Sequence, residues 1–103
     1  MIRLVALTVL WLALGESALR PHDILQREKS FSKTDITIQQ FDSVYFHNND
    51  TVVPNVFSTS PGNKFNLKPQ KPGSSAVVVF SATGRVVVRC AFHPDMKLIV
   101  DVE

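Results

Sequence analysis

Apolar and polar residues alternate along much of this chain, which is typical of β-strands that bury one face. The alternation predicts strands at residues 35–39, 44–47, 55–58 and 96–102, and runs of valine predict two more at 75–80 and 84–90. The residues expected to point inward are Ile36, Ile38, Val44, Phe46, Val86, Val88, Cys90, Met96, Leu98, Val100 and Val102. No helix is predicted after the apolar N-terminal segment, so the domain is expected to be all-β.

Turn-forming residues separate the predicted strands. Residues 48–50, Asn-Asn-Asp, carry side chains that bond to nearby backbone and tolerate unusual φ angles. The stretch 59–73 is rich in proline and glycine and is expected to be an irregular connection anchored by Phe65 and Leu67. Residues 22–26 are expected to form an edge strand with a solvated histidine. Short strands with such connections predict a Greek-key β-sandwich.

The first residues have the pattern of a secretory signal peptide. A short basic start at residues 1–3 precedes an apolar stretch at 4–14, and small residues follow at Gly15, Ser17 and Ala18. We therefore predict a signal peptide at 1–18, a single domain at 19–103, and a periplasmic or secreted protein. An uncleaved anchor is the alternative, although the apolar stretch is short for a membrane span. After cleavage no stable membrane insertion is expected.

Length and charge narrow the class of protein. The full chain has 103 residues, and the roughly 85 left after cleavage suffice for one small domain with one core. A formal net charge of +2, without a lysine–arginine run, gives no indication of nucleic-acid binding. Cys90 is the single cysteine, so no intrachain disulfide can form. In an exported protein, either metal ligation or burial can explain an unpaired cysteine.

The candidate site is the motif Cys90-x-x-His93-x-x-Met96, which follows a predicted buried strand. A thiolate, an imidazole and a thioether form a soft ligand set that suits copper better than magnesium, calcium or manganese. The short spacings predict that the three side chains converge at one end of the sandwich. Each residue also has an ordinary explanation, because buried cysteine and methionine commonly serve only as core residues.

These segments resemble the cupredoxins, the blue copper family that includes plastocyanin, pseudoazurin and amicyanin. The resemblance extends beyond the motif to residues 46–51 (Phe-His-Asn-Asn-Asp-Thr), 55–58 (Asn-Val-Phe-Ser), 71–73 (Lys-Pro-Gly) and 76–80 (Ala-Val-Val-Val-Phe). It implies a cupredoxin-like sandwich with one copper ion held by Cys90, His93 and Met96, used to carry single electrons. It further implies a monomer whose redox partner docks on an apolar patch near Phe92, His93 and Pro94.

One residue departs from the pattern of the family. The first histidine ligand of a cupredoxin precedes the Asn-Val pair, and here that position is Pro54. Proline has no side-chain donor for a metal. His47 is a conceivable substitute, but its strand parity predicts an outward side chain.

Three functions are compatible with the sequence. The chain is predicted to be an exported one-electron carrier, a carrier that hands over Cu(I), or a metal-free cupredoxin-like binding module. The electron carrier is the main prediction, and the other two are alternatives that arise because the first histidine ligand is missing. An enzyme is not predicted, because the sequence shows neither a second metal motif nor a nucleophile–base pair.

Overall fold

A computed structural model of the chain describes residues 20–103, so the predicted signal peptide at 1–18 lies outside the described residues. The strands are β1 Pro21–Arg27, β2 Ser30–Phe31, β3 Asp35–Ile38, β4 Ser43–Asn48, β5 Asn55–Ser58, β6 Phe65–Pro69, β7 Ser75–Val79, β8 Gly84–Cys90 and β9 His93–Val102. The prediction of an all-β domain is confirmed. Within residues 20–103 no helix has the length and apolar character needed to cross a membrane.

The strands form two sheets. One sheet has the order β2-β1-β4-β7 and the other has the order β3-β9-β8-β5-β6. Two pairs are parallel, β1 with β4 and β3 with β9, and the other pairs are antiparallel. Inward residues of both sheets share one core, where Phe65 of β6 packs between Phe46 of β4 and Phe80. The two sheets therefore form a sandwich.

The core follows the predicted strand parity. Its buried members are Ile24, Phe31, Ile38, Val44, Phe46, Val56, Phe80, Val86, Val88, Cys90, Met96, Leu98, Val100 and Val102. The intervening residues of β8, Val87 and Arg89, are less buried, as the alternation predicts. Burial of one apolar row per strand is what selects this register, since a shift by one residue would expose the whole row.

Three details differ from the prediction. The stretch expected to be irregular contains β6, because Phe65 and Leu67 alternate with polar residues and pair with β5. The expected edge strand β1 has neighbours on both sides, since the two-residue β2 covers its end. The last strand begins at His93 and not at Met96, so the region predicted as a loop is largely part of the hairpin.

A buried carboxylate closes the turn between β3 and β4. Asp42 is 2% exposed and accepts hydrogen bonds from the backbone N–H groups of Arg20 (2.9 Å) and Gln39 (3.0 Å). His22 was predicted to be solvated, but its Nε2 atom lies 3.0 Å from the same carboxylate. Burial alone raises the pKa of Asp42, but these hydrogen bonds outweigh it and lower the pKa below its ordinary value.

Candidate metal centre

The candidate donors lie on the β8–β9 hairpin. Cys90 is paired with His93, and the turn between them consists only of Ala91 and Phe92. The preceding pair joins Arg89 to Lys97, so residues 94–96 have no partner on β8 and form a bulge. A bulge re-aims the side chains of its strand. Here it leaves His93 opposite Cys90 in the strand ladder and still returns Met96 to the inward row.

The environments of the three donors differ. Cys90 is 2% exposed and Met96 is 4% exposed, and both belong to the core. His93 is half-buried at the surface, while Phe92 is 57% exposed and Pro94 is also exposed. The two sulfur atoms thus belong to residues shielded from water, whereas the imidazole belongs to a residue that is partly accessible to it. That all three donors meet on one ion remains a prediction.

Pro54 occupies the place beside these donors that the resemblance assigned to a histidine. It is buried, and it lines a small cavity together with His93 and Met96. The cavity measures about 10 Å³, which is roughly the least volume that admits one water-sized occupant. The carbonyl oxygen of Pro54 accepts a 3.0 Å hydrogen bond from the backbone N–H of Gln70, which fixes the course of the loop. The proline therefore faces the candidate centre without contributing a donor.

Backbone contacts tie the Pro54 loop to the hairpin. Val56 pairs with Cys90 in the β5–β8 ladder. One step away, the amide of Ala91 donates a 2.9 Å hydrogen bond to the carbonyl oxygen of Asn55. Because the residue after the cysteine is bonded to the residue after the proline, the two segments that flank the candidate centre are held together by backbone.

A buried polar network adjoins the cavity, and the sequence analysis did not identify it. Gln26 and Asn48, which line the cavity, and Gln70 are each at most 5% exposed. The Nδ2 atom of Asn48 donates to the carbonyl oxygens of Val52 and Gln70, both at 3.0 Å. Strand parity carried a signal for two members, because Gln26 shares the inward face of β1 with Ile24 and Asn48 continues the inward row of β4.

The donor chemistry of this region fits copper. Within residues 20–103, no group of three or more histidine, cysteine or acidic side chains is placed to hold a metal ion. A metal site here therefore depends on the softer donor set that includes the Met96 thioether. Thiolate, imidazole and thioether together are suited to copper. With Pro54 in place, the motif supplies three of the four donors that the resemblance implies.

His47 belongs to a different surface. Its ring lies on the outer face of the β2-β1-β4-β7 sheet, as strand parity predicts. Its Nε2 atom is 2.8 Å from Oδ1 of Asp23, and its Nδ1 atom is 2.6 Å from Oγ of Ser75. The ring also stacks on Tyr45, with centroids 6.3 Å apart. Because both ring nitrogens are engaged on the outer face, His47 does not replace the missing ligand.

No protein-family model and no curated protein sequence matches the chain. Solved structures do match. A purple cupredoxin from Nitrosopumilus maritimus is 24% identical, with a TM-score of 0.71 over 80% of this chain and 99% of that protein. A proline-to-phenylalanine mutant of amicyanin in its reduced state is 21% identical, with a TM-score of 0.71 over 81% of this chain and 82% of amicyanin.

A third match is to a larger protein. The copper-containing nitrite reductase NirK from Thermus scotoductus SA-01 is 21% identical, with a TM-score of 0.74 over 81% of this chain but only 22% of the reductase. The chain thus corresponds to about one fifth of that protein. All three matches share one architecture. The chain has the cupredoxin fold, which confirms the fold that the sequence resemblance implied.

Proposed function

We propose that the chain is an exported small copper-binding protein that carries single electrons, with one ion held by Cys90, His93 and Met96. The cupredoxin fold supports a copper-binding, electron-transfer role in general. The observation that carries the specific proposal is the β8–β9 hairpin, which pairs Cys90 with His93 and returns Met96 to the buried row. The hairpin thus carries a thiolate, an imidazole and a thioether within seven residues, and this soft donor set suits copper.

Bound copper would supply a couple that gains and loses one electron. The protein's contribution is to hold the donors on paired strands, which keeps their spacing constant when the charge of the site changes. Burial of Cys90 and Met96 keeps water away from both sulfur atoms. His93, which is half-buried, then provides the route between the core and the surface.

The proposed docking surface for a redox partner is the apolar rim of Phe92, His93 and Pro94. Phe92 is 57% exposed although it is a large apolar side chain, and Pro94 beside it is exposed as well. Weak redox encounters use small interfaces, typically below about 1,200 Å². An exposed apolar rim of three residues around a half-buried imidazole suits such a brief encounter. We further propose a periplasmic or secreted location, on the basis of the N-terminal sequence pattern, and a monomer, as the resemblance implies.

Catalysis is not part of the proposal. The nitrite reductase match spans only 22% of that protein, so its activity is not transferred to this chain. The hydrogen-bonded series Ser75–His47–Asp23 superficially resembles a nucleophile with its base. It lies on an exposed sheet face, with Asp23 67% exposed, whereas substrates are usually bound in concave sites.

A second candidate function is the transport of Cu(I). Pro54 favours it, because the buried proline removes an imidazole and leaves two sulfur donors and one nitrogen donor. Sulfur ligands select Cu(I), and low coordination numbers suit it. A carrier of this kind would bind and release the ion without a reversible redox step.

The deciding experiment compares reversible electron transfer with the binding and release of Cu(I), both measured on the exported form of the protein. The visible absorption and EPR spectra of the Cu(II)-loaded protein would be recorded with a voltammogram, and Cu(I) uptake would be measured against a chromogenic chelator. Cys90→Ser serves as the control that removes the thiolate. A reversible one-electron wave supports the electron carrier, and Cu(I) exchange without such a wave supports the transporter. If neither oxidation state is bound, the chain is a metal-free binding module.

A further inference from the structure

Among residues 20–103, one buried polar atom near the candidate centre has no hydrogen-bond partner. Gln26 is 1% exposed, and its side-chain oxygen Oε1 makes no hydrogen bond within residues 20–103. Leaving such an oxygen unsatisfied typically costs about 1–3 kcal/mol. Unpaired buried polar atoms are rare in folded proteins and often indicate a bound water or ion.

The orientation of this side chain is set by its neighbours. Gln26 Nε2 donates to Gln70 Oε1 at 3.0 Å, and Gln70 Nε2 donates in turn to the carbonyl oxygen of Phe46 at 3.3 Å. Exchanging the oxygen and nitrogen of Gln26 would place two oxygens against each other unless Gln70 also rotated. Rotation of Gln70 would bring its own oxygen against the Phe46 carbonyl. The network therefore leaves Oε1, and not the amide nitrogen, as the free atom.

The free oxygen belongs to a residue that lines the same cavity as two of the three candidate ligands, His93 and Met96. Gln26, Pro54, His93 and Met96 all contribute to its walls. The volume of about 10 Å³ admits one occupant of the size of a water molecule or a single ion. An amide oxygen accepts hydrogen bonds and binds cations, so an anion is a poor occupant. The cations Arg27 and Lys29 at the rim are exposed, so their charges are largely screened by water.

We infer that Gln26 Oε1 is the donor that completes the metal site in place of the imidazole absent at position 54. The inference rests on the copper site proposed above and adds an oxygen ligand from β1 to the two sulfur donors and the histidine. Amide oxygen is a known weak ligand of copper in sites that contain cysteine and histidine. Because oxygen is a harder donor than sulfur, its contribution should be larger for Cu(II) than for Cu(I).

The test is a set of substitutions at position 26 in the full chain. Gln26→Leu keeps the approximate size and removes the oxygen, whereas Gln26→Glu keeps an oxygen at the same place. Loss of a direct ligand should weaken binding by more than the roughly 10-fold lower limit for residues that only support ligands. We expect Gln26→Leu to raise the Cu(II) Kd by at least about that factor and to change the EPR hyperfine splitting. Gln26→Glu should restore binding.

Two further measurements separate ligation from a general effect on folding. In a Pro54→His background, Gln26→Leu should leave the Cu(II) Kd unchanged, because the imidazole then fills the position. In the unaltered chain, Zn(II) serves as a diamagnetic probe that also accepts nitrogen, sulfur and oxygen ligands. Its addition should shift the side-chain amide NMR signals of Gln26, while those of the exposed Gln39 and Gln40 stay in place.

The outcomes distinguish this inference from the proposed function. If the unaltered chain binds Cu(II) and Gln26→Leu binds it with the same Kd and EPR spectrum, the role of Gln26 is refuted and the copper site stands. If the unaltered chain binds no copper, both are refuted. Should Gln26→Leu fail to fold, the NMR response of the unaltered chain decides, and an unshifted Gln26 signal overturns the inference.

Discussion

Cys90 and His93 face each other across the first pair of the β8–β9 hairpin, with only Ala91 and Phe92 between them. Their separation is therefore set by the strand ladder. Sites built on strands hold their geometry better than sites built on loops. The candidate centre consequently has two donors in fixed positions. Its copper affinity and spectrum should therefore depend mainly on the remaining ligands.

The first prediction concerns position 54. Pro54→His adds an imidazole beside His93 and Met96 and should produce a strongly coloured Cu(II)–thiolate site. Because a direct ligand is gained, copper affinity should rise by more than about 10-fold. Absorption spectroscopy and a competitive Cu(II) titration measure both effects.

The matched control for this substitution is Pro54→Ala. Like histidine, alanine restores the backbone N–H that proline lacks, but it adds no donor. The prediction is wrong if both variants give the same spectrum. An intense blue band in the unaltered chain would also contradict it, since a second strong donor besides His93 would then already complete the plane around the ion.

The second prediction tests the thioether. Met96→Leu nearly conserves side-chain volume in the core, so unfolding free energy should fall by less than about 1.5 kcal/mol. Cu(I) affinity should fall by at least about 10-fold, because one of two sulfur donors is lost. Leu98→Met, the reverse exchange at the next inward position, serves as the control. Equal Cu(I) affinity in Met96→Leu and the unaltered chain would exclude Met96 as a ligand.

The third prediction tests the docking rim. Phe92→Glu places a charge on the exposed apolar surface and should slow electron self-exchange on the order of 10-fold. The visible spectrum should not change, because Phe92 is not a donor. Val79→Glu is a matched control: Val79 is 56% exposed and pairs with Ser43, at the opposite end of β4 from Asn48. Similar rates in the two variants would place the docking surface elsewhere.

The fourth prediction concerns acid stability. The pKa of Asp42 is lowered in the folded state by its hydrogen bonds, so its ionised form stabilises the protein at pH values above the ordinary value of about 3.9. That contribution is lost as the pH falls below about 4 and through the lowered folded-state pKa. Asp42→Asn should therefore cost about 2 kcal/mol of unfolding free energy at pH 7 and progressively less in acid.

Urea unfolding between neutral and acidic pH measures this difference. Asp101→Asn is the control, because its 3.0 Å pair with Arg85 is exposed to water. Such surface pairs contribute about 1 kcal/mol or less. A constant difference between Asp42→Asn and the unaltered chain at every pH would show that the Asp42 carboxylate does not drive acid unfolding.

Most of the fold could be predicted from alternation, because a sandwich buries one row of each strand. Val86, Val88 and Cys90 are buried as that rule requires, and His47 points outward for the same reason. The alternation failed to predict β6, where only Phe65 and Leu67 signal a strand between groups of turn residues. The pairing of strands from distant parts of the chain is a tertiary property that local pattern does not encode.

The candidate site was only partly predictable. The spacing of Cys90, His93 and Met96 identified the motif, but it did not show that the hairpin begins at His93 and carries a bulge. Gln26 was missed because it lies 64 residues before Cys90 in the chain, and only the sheet topology brings β1 to the cavity. The one local indication of Gln26 as a site residue was that a polar side chain stands at an inward position of β1.

The hydrogen bond from the backbone N–H of Gln70 to the Pro54 carbonyl oxygen bears on which substitutions at position 54 the protein can accept during evolution. It uses a backbone acceptor that every amino acid provides, so this contact does not depend on which side chain stands at position 54. Proline and histidine codons can differ by a single base. A lineage could thus gain or lose a copper ligand in one mutational step while this contact of the loop is kept, and the metal chemistry could evolve on an otherwise constant fold.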